Sequence, residues 1–177
     1  MIVKLSGRLV QKSDQAVVID VNGISYEVIV PASVVDRIDQ NISPEGKVDL
    51  IVHHYLQLGP SSGAPVLVGF LNEVERDFFL QFITVSGIGP RAAIKALSKP
   101  ISEIAAAIEE GNDKTLKTLP GIGAQKAKDI IAKLQGKVGK YGLIQDKGTG
   151  TKTVATIETD WQQEALEVLL QLQYKRN

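Results

Sequence analysis

Two short stretches in the middle of the chain carry residue types that can hold a phosphate. Thr84-Val85-Ser86-Gly87-Ile88-Gly89-Pro90 and Thr118-Leu119-Pro120-Gly121-Ile122-Gly123-Ala124 align at an offset of 34 residues. In each, the glycines permit a tight turn and close backbone approach. The central isoleucine is expected to plug a core, and the amides that begin the following helix lack intrahelical partners. Such a helix start offers N–H groups and the positive end of the helix dipole to an anion. Pro90 suits the first turn of the helix after the first copy, where its missing N–H leaves no bond unmade. One Gly-Ile-Gly is also what an ordinary helix-to-helix turn looks like, but two copies at corresponding places weigh against that reading.

The doubled pattern is that of the helix-hairpin-helix motif, which holds nucleic-acid backbones without reading bases. The charge total is zero, with 20 basic and 20 acidic residues, yet binding depends on where charges sit. Residues 1–70 hold five basic and seven acidic residues, 71–135 nine and eight, and 136–177 six and five. Residues 114–140 hold seven lysines against Asp129 alone. A charge run is usually a solvated face, but beside phosphate-ready amides it favours binding. Each phosphate neutralised would steepen the fall of affinity with salt by ~0.9 in logarithmic slope. The expected DNA contacts are Gly87, Ile88, Gly89 and Arg91 at the first hairpin, and Gly121, Ile122, Gly123, Lys126 and Lys128 at the second.

Other chemistries find little support. The 177 residues contain no Cys, which excludes disulfides and thiolate metal sites, and two His, which argues against a histidine-rich metal centre while leaving carboxylates able to hold a hard cation. His53 and His54 point to opposite faces of a strand and cannot converge on one metal. Gly148-Thr149-Gly150-Thr151-Lys152-Thr153 superficially matches a phosphate loop, but the Gly-Lys-Ser/Thr order fails and no βαβ context surrounds it. Asp129, between core positions on a helix, reads as a solvated charge or the partner of a nearby lysine. No metal, cofactor or catalytic set is expected. The start of the chain has no signal-peptide pattern, and no apolar run approaches the ~20 residues of a membrane span. A cytoplasmic protein without membrane association is expected.

The elements that must position the hairpins follow from periodicity. Residues 2–10, 15–21, 24–30, 47–58 and 66–70 read as five β-strands, with Asn22-Gly23 as the two-residue turn of a hairpin. Residues 31–38 can hold a helical turn. So small a sheet must curl to cover its edges, which predicts a barrel of OB type over residues 1–70, a generic meander being the alternative. From residue 71 the period becomes helical: Asn72 with Glu75 forms a cap, followed by Val74, Phe78, Phe79, Phe82 and Ile83. Ser102 is expected to cap a helix over 103–110 ended by Gly111. Ala127, Ile130, Ile131 and Leu134 mark another. Residues 71–135 thus read as an all-helical tandem-hairpin domain. Gly136, Gly139, Gly142, Gly148 and Gly150 suggest a flexible linker over 136–159. Asp160 and Gln163 then cap a last helix with Trp161, Ala165, Val168, Leu169 and Leu172 on one stripe.

In this order the features resemble the RuvA family, the Holliday-junction-binding subunits of the bacterial branch-migration complex. Val3-Lys4-Leu5-Ser6-Gly7-Arg8-Leu9, Gly23-Ile24-Ser25-Tyr26-Glu27-Val28 and Val68-Gly69-Phe70 resemble its barrel strands, Gly87-Ile88-Gly89-Pro90-Arg91 and Gly121-Ile122-Gly123 its hairpins. The likeness covers essentially the whole chain. It implies an α+β multidomain protein that forms a tetramer, or an octamer, on four-way junction DNA. Such a protein holds the junction open and square and recruits the RuvB motor, which carries the ATPase, with the RuvC resolvase in the same complex. The implied setting is homologous recombination, DNA repair and the SOS response, and the chain itself would be non-catalytic and without cofactor. The C-terminal helix would begin a three-helix, UBA-like domain over 160–177 that contacts RuvB through Leu166, Leu169 and Leu170, unless those leucines pack inside that domain.

Three departures from the family pattern stand out. Relatives commonly carry an acidic pair between the last two barrel strands, a pin at the junction centre. Here Leu58-Gly59-Pro60-Ser61-Ser62-Gly63-Ala64-Pro65 is longer and has no carboxylate. Many relatives have basic residues directly after the second Gly-Ile-Gly, where this chain has Ala124-Gln125 and supplies Lys126 and Lys128 later. Only one helix of the last domain precedes Asn177, so that domain is expected to be incomplete. Two readings compete with junction binding. One is a helix-hairpin-helix glycosylase or nuclease, for which Asp146 lies at a suggestive distance but in the Gly-rich linker, where nothing would hold it or shift its pKa. The other is a single-strand-binding OB protein, for which Tyr26 and Tyr55 are few stacking platforms.

Overall fold

The computed structural model describes residues 1–59 and 62–142. Five strands, β1 (Lys4–Lys12), β2 (Ala16–Val21), β3 (Ile24–Ile29), β4 (Lys47–Leu58) and β5 (Gly63–Phe70), close into a barrel in the order β1-β2-β3-β5-β4. All pairings are antiparallel except β3 with β5, joined in parallel at Ile29↔Val68. This is the OB-type barrel expected from the strand count. Alternation supplies its interior: Leu5 of β1, Val17 and Ile19 of β2, Val28 of β3, and Val48, Leu50 and Val52 of β4 are buried. The β2–β3 turn has Asn22 at φ 54° and Gly23 at φ 89°, the paired positive angles of a type I′ hairpin. Strands β1 and β5 are displaced from the expected spans. A bulge between Leu9 and Gln11 carries β1 on to Lys12, and pairing of Leu58 with Gly63 starts β5 earlier than residue 66.

Helix α1 (Ala32–Ile38) crosses from β3 to β4, followed by a single 3-10 turn (Asp39–Asn41). It buries Val34, Val35 and Ile38 and connects the barrel to the helices that follow. The Ser33 hydroxyl donates to the Leu97 carbonyl at 3.0 Å, and Arg37 Nη2 donates to Glu75 Oε1 at 2.7 Å.

Six further helices complete the described chain: α2 (Glu73–Phe82), α3 (Pro90–Ala96), α4 (Ile101–Glu109), α5 (Asp113–Leu116), α6 (Ala124–Leu134) and α7 (Gly139–Gly142). Asn72 caps α2 by accepting the Glu75 amide at 2.9 Å. The Glu75 carboxylate takes the Leu71 amide and Arg37 rather than returning to Asn72, so the reciprocal capping box does not form. Phe78, Phe79 and Phe82 are fully buried, but Val74, in the first turn, is 38% exposed.

Two expectations fail here. Helix α4 starts at Ile101 with Pro100 as its N-cap and no side-chain cap, so Ser102 lies inside the first turn; Gly111 does follow, at φ 65°. Residues 136–142 are packed and are not part of a linker. The Glu109 carboxylate accepts the Gly136 and Val138 amides, Val138 is buried, and Tyr141 meets Phe78 edge-on at 5.3 Å between ring centres. Two buried side chains and an anchored backbone outweigh the permissive glycines between them.

Candidate nucleic-acid interface

The two hairpins are built bond for bond alike. After α2, the Thr84 hydroxyl donates to Gln81 O at 2.6 Å; after α5, the Thr118 hydroxyl donates to Thr115 O at 2.7 Å. The Val85 and Leu119 amides donate to Phe82 O and Leu116 O. The Ile88 and Ile122 amides close the loops onto Val85 O and Leu119 O, each at 3.1 Å. The next helices begin with Ala93 donating to Gly89 O and Ala127 to Gly123 O. Every partner is shifted by the 34 residues seen in the sequence. The amides between Gly89 and Ala93, and between Gly123 and Ala127, therefore have no intrahelical acceptor.

The glycines divide into two kinds. Gly87 and Gly121 have φ 76° and 78°, the left-handed region that favours glycine. Gly89 and Gly123, the N-caps of α3 and α6, have φ −85° and −90° with extended ψ, which any residue adopts. A Cβ placed on either would meet nothing within 4 Å. The fold does not need glycine there, and the open space lies where a backbone could come close. Ile88 and Ile122 are buried. Their side chains plug the core as expected and cannot touch DNA, so as contacts these two positions reduce to their backbone.

The cations of both hairpins line one groove. Arg91, Ala92, Ile94 and Lys95 of α3 face Pro120, Gly121 and Lys126 of the second hairpin, with Gln15 and Ile29 of the barrel as the remaining wall. Lys126 Nζ reaches back to Gly121 O at 3.3 Å. Lys95 was not among the expected contacts; its signal was the i, i+4 spacing from Arg91 on a helix opened by Pro90. Gln15, on the β1–β2 connection, had no signal at all. Lys128 is exposed on α6 but does not line the groove.

The lysine cluster is less concentrated than its sequence window suggests. Asp113, one residue outside that window, pairs with Lys117 at 2.9 Å. The Lys117 hydrogen bond, with Lys117, Lys114 and Lys128 nearby, holds the Asp113 carboxyl below its usual range. Lys133 lies in the last turn of α6, ~14 Å along the axis from its start at 1.5 Å per residue, and Lys137 and Lys140 follow the end of that helix. Lys140 sits over the Tyr141 ring at 4.9 Å. Asp129 accepts from Gln125 Nε2 at 2.9 Å and pairs with no lysine among the described residues.

The histidines serve structure. His53 stacks on Tyr55 and against Phe79, and burial, then the Arg76 and His54 charges, push its pKa below 6.5. His54 Nδ1 accepts the Ile2 amide at 3.1 Å. Among the described residues no group of three His, Asp or Glu side chains could hold a metal, and no helix is long and apolar enough to cross a membrane. Asp146, the Gly148 to Thr153 run, and Leu166, Leu169 and Leu170 lie outside the described residues.

The chain is similar to two family models: one described as “RuvA N terminal domain” over residues 1–57, and one described as “SAM-like Helix-hairpin-helix tandem” over residues 79–136. Its relatives include proteins named “Holliday junction branch migration complex subunit RuvA”. That of Syntrophotalea carbinolica is 35% identical over 100% of this chain and 85% of its own length, and that of Desulfosudis oleivorans 36% over 100% and 84%. That of Desulforapulum autotrophicum is 38% identical over 88% of this chain and 73% of its own length.

Proposed function

The chain belongs to the RuvA family, and from that premise we propose that it binds four-way (Holliday) DNA junctions and serves as a subunit of a branch migration complex. One observation carries the reading: two identically bonded hairpins present open N-cap glycines and helix-start amides without intrahelical acceptors, and the cations Arg91, Lys95 and Lys126 line one groove with Gly121 of the second hairpin. Such a surface matches two successive stretches of phosphate backbone and offers few groups to read base edges, so binding is independent of sequence. The contact set we propose is the backbone of residues 87–89 and 121–123, the side chains of Arg91, Lys95 and Lys126, and Lys128 on the flank.

In this reading residues 1–70 form the barrel, 71–142 the DNA-holding domain, and the remainder connects to a segment for the motor. The chain is a non-catalytic partner in the cytoplasm. A separate ATPase of the RuvB kind drives migration and is contacted through Leu166, Leu169 and Leu170. Four copies, or eight, surround one junction, with a RuvC-type resolvase acting on the same complex.

A gel-shift series tests this. A synthetic four-way junction, a linear duplex and a single strand of equal length are titrated with the full chain at several salt concentrations, and the DNA is then examined for breaks. Preferential retardation of intact junction supports the proposal. Equal affinity for duplex, or strand cleavage without another protein, overturns it.

A further inference from the structure

The two hairpins share their backbone but not the side chains that follow it. On the 34-residue offset that relates their hydrogen bonds, Arg91 corresponds to Gln125 and Lys95 to Asp129. Each pair spans one turn of the helix that opens after an N-cap glycine, α3 after Gly89 and α6 after Gly123. The caps agree closely, with φ −85° and ψ 174° at Gly89 against −90° and −179° at Gly123. The two pairs therefore occupy the same place relative to their own hairpins.

Their chemistry is opposite. Arg91 and Lys95 are exposed and line the groove, and no Asp or Glu occurs from residue 78 to residue 102. At the corresponding positions Gln125 Nε2 donates to Asp129 Oδ1 at 2.9 Å. One negative charge thus stands where the first hairpin has two positive ones. The cations of the second hairpin lie elsewhere: Lys126 corresponds to Ala92 and reaches back to Gly121 O, and Lys128 corresponds to the buried Ile94. A Gln–Asp contact four residues apart on a helix contributes little to folding. Beside a phosphate the same carboxylate opposes binding, because like charges repel.

We propose that the two hairpins grip DNA unequally: Arg91 and Lys95 make the first an ionic anchor, while Gln125 and Asp129 keep the second a weaker contact, made mainly by backbone amides and Lys126. This unequal grip presupposes the junction-binding reading above. Phosphate contacts carry no sequence information, and an electrostatic hold of this kind lets a protein move along DNA. Every ionic contact must break before a duplex arm advances by one phosphate. A carboxylate at the second hairpin lowers the hold at that point, so the arm is released and regained there while the first hairpin keeps it in register.

The test uses the full chain, with a labelled four-way junction and a linear duplex titrated by fluorescence anisotropy over a salt series, and with the rate of exchange onto unlabelled DNA. D129N keeps the shape of the side chain and an acceptor for Gln125. It is expected to bind both DNAs about threefold more tightly and to exchange more slowly by the same factor. D129K, which copies Lys95, is expected to bind about tenfold more tightly at low salt, with a slope of log affinity against log salt steeper by ~0.9. E110K makes the same change of charge at the end of α4. The neighbouring Glu109 carbonyl accepts from Gln135, which caps the far end of α6, about 16 Å along the axis from Ala124. That distance exceeds the ~8 Å screening length at physiological salt, so E110K is expected to leave affinity there unchanged. Matching thermal melts show that the variants fold alike. Wild-type affinity and exchange rate in D129N would overturn the unequal grip, and so would an E110K effect equal to that of D129K, which would reduce it to net charge. A wild-type protein that fails to prefer junction over duplex would instead overturn the underlying function, whatever D129N does on duplex.

Discussion

Arg37 Nη2 meets Glu75 Oε1 at 2.7 Å with side-chain exposures of only 17% and 4%, tying the barrel helix α1 to α2 at the start of the hairpin block. Glu75 is the one buried charged residue described, and it also holds the Leu71 amide that leads into α2. Removing the Glu75 carboxylate takes away this buried ion pair and the acceptor of the Leu71 amide together, at a cost of about 3 kcal/mol. Glu75→Ala should therefore lower stability by about that amount in denaturant unfolding, and R37M/E75M should recover part of the loss. A single variant as stable as wild type would contradict the tie.

The two kinds of hairpin glycine should separate folding from binding. Gly87→Val forces a β-branched residue to positive φ and should cost about 1–3 kcal/mol of stability. Gly89→Val, at an ordinary φ with open space around its Cβ, should melt like wild type yet lose at least about tenfold in DNA affinity by blocking close backbone approach. Melting curves paired with titrations decide it; equal DNA binding by Gly89→Val and wild type would make the hairpins mere turns.

Salt dependence should sort the cations. Arg91→Gln, Lys95→Gln and Lys126→Gln, which line the groove, should each reduce the slope of log affinity against log salt by about 0.9. Lys137→Gln, beyond the far end of α6, should leave the slope unchanged. A shift for Lys137→Gln equal to that for Lys126→Gln would remove the groove from the DNA footprint.

His53 should make stability pH-dependent. Burial first, then Arg76 and His54, lowers its pKa in the folded chain below 6.5. The unfolded chain then binds the proton more readily, so stability is fully present above about pH 6.5 and falls as pH drops through and below that value. The melting temperature should drop between about pH 7.5 and 5.5, and His53→Gln should flatten that drop. An identical drop in the variant would place the titration elsewhere.

Much of this was legible because it is local. Asn22-Gly23 dictates its own turn, and the two Gly-Ile-Gly copies declare themselves by a constant offset that the hydrogen bonds then reproduce. What escaped was tertiary. A capping rule pairs Glu75 with Asn72, but a guanidinium 38 residues earlier claims the carboxylate instead. Glycine content hid the packing of Val138 and Tyr141 against neighbouring helices. Lys95 and Gln15 became parts of the site only when the fold set α3 and the barrel against the second hairpin.

Junction recognition through the paired hairpins is tested most directly by competition binding. A labelled four-way junction bound to the full chain is displaced by unlabelled junction or by duplex of equal length, for wild type and for G89V/G123V. Wild type should favour the junction by well over about tenfold, ~1.4 kcal/mol, and the double variant, folded to the same melting temperature, should lose junction binding. Equal displacement by duplex and junction, or an undiminished preference in the double variant, would contradict it.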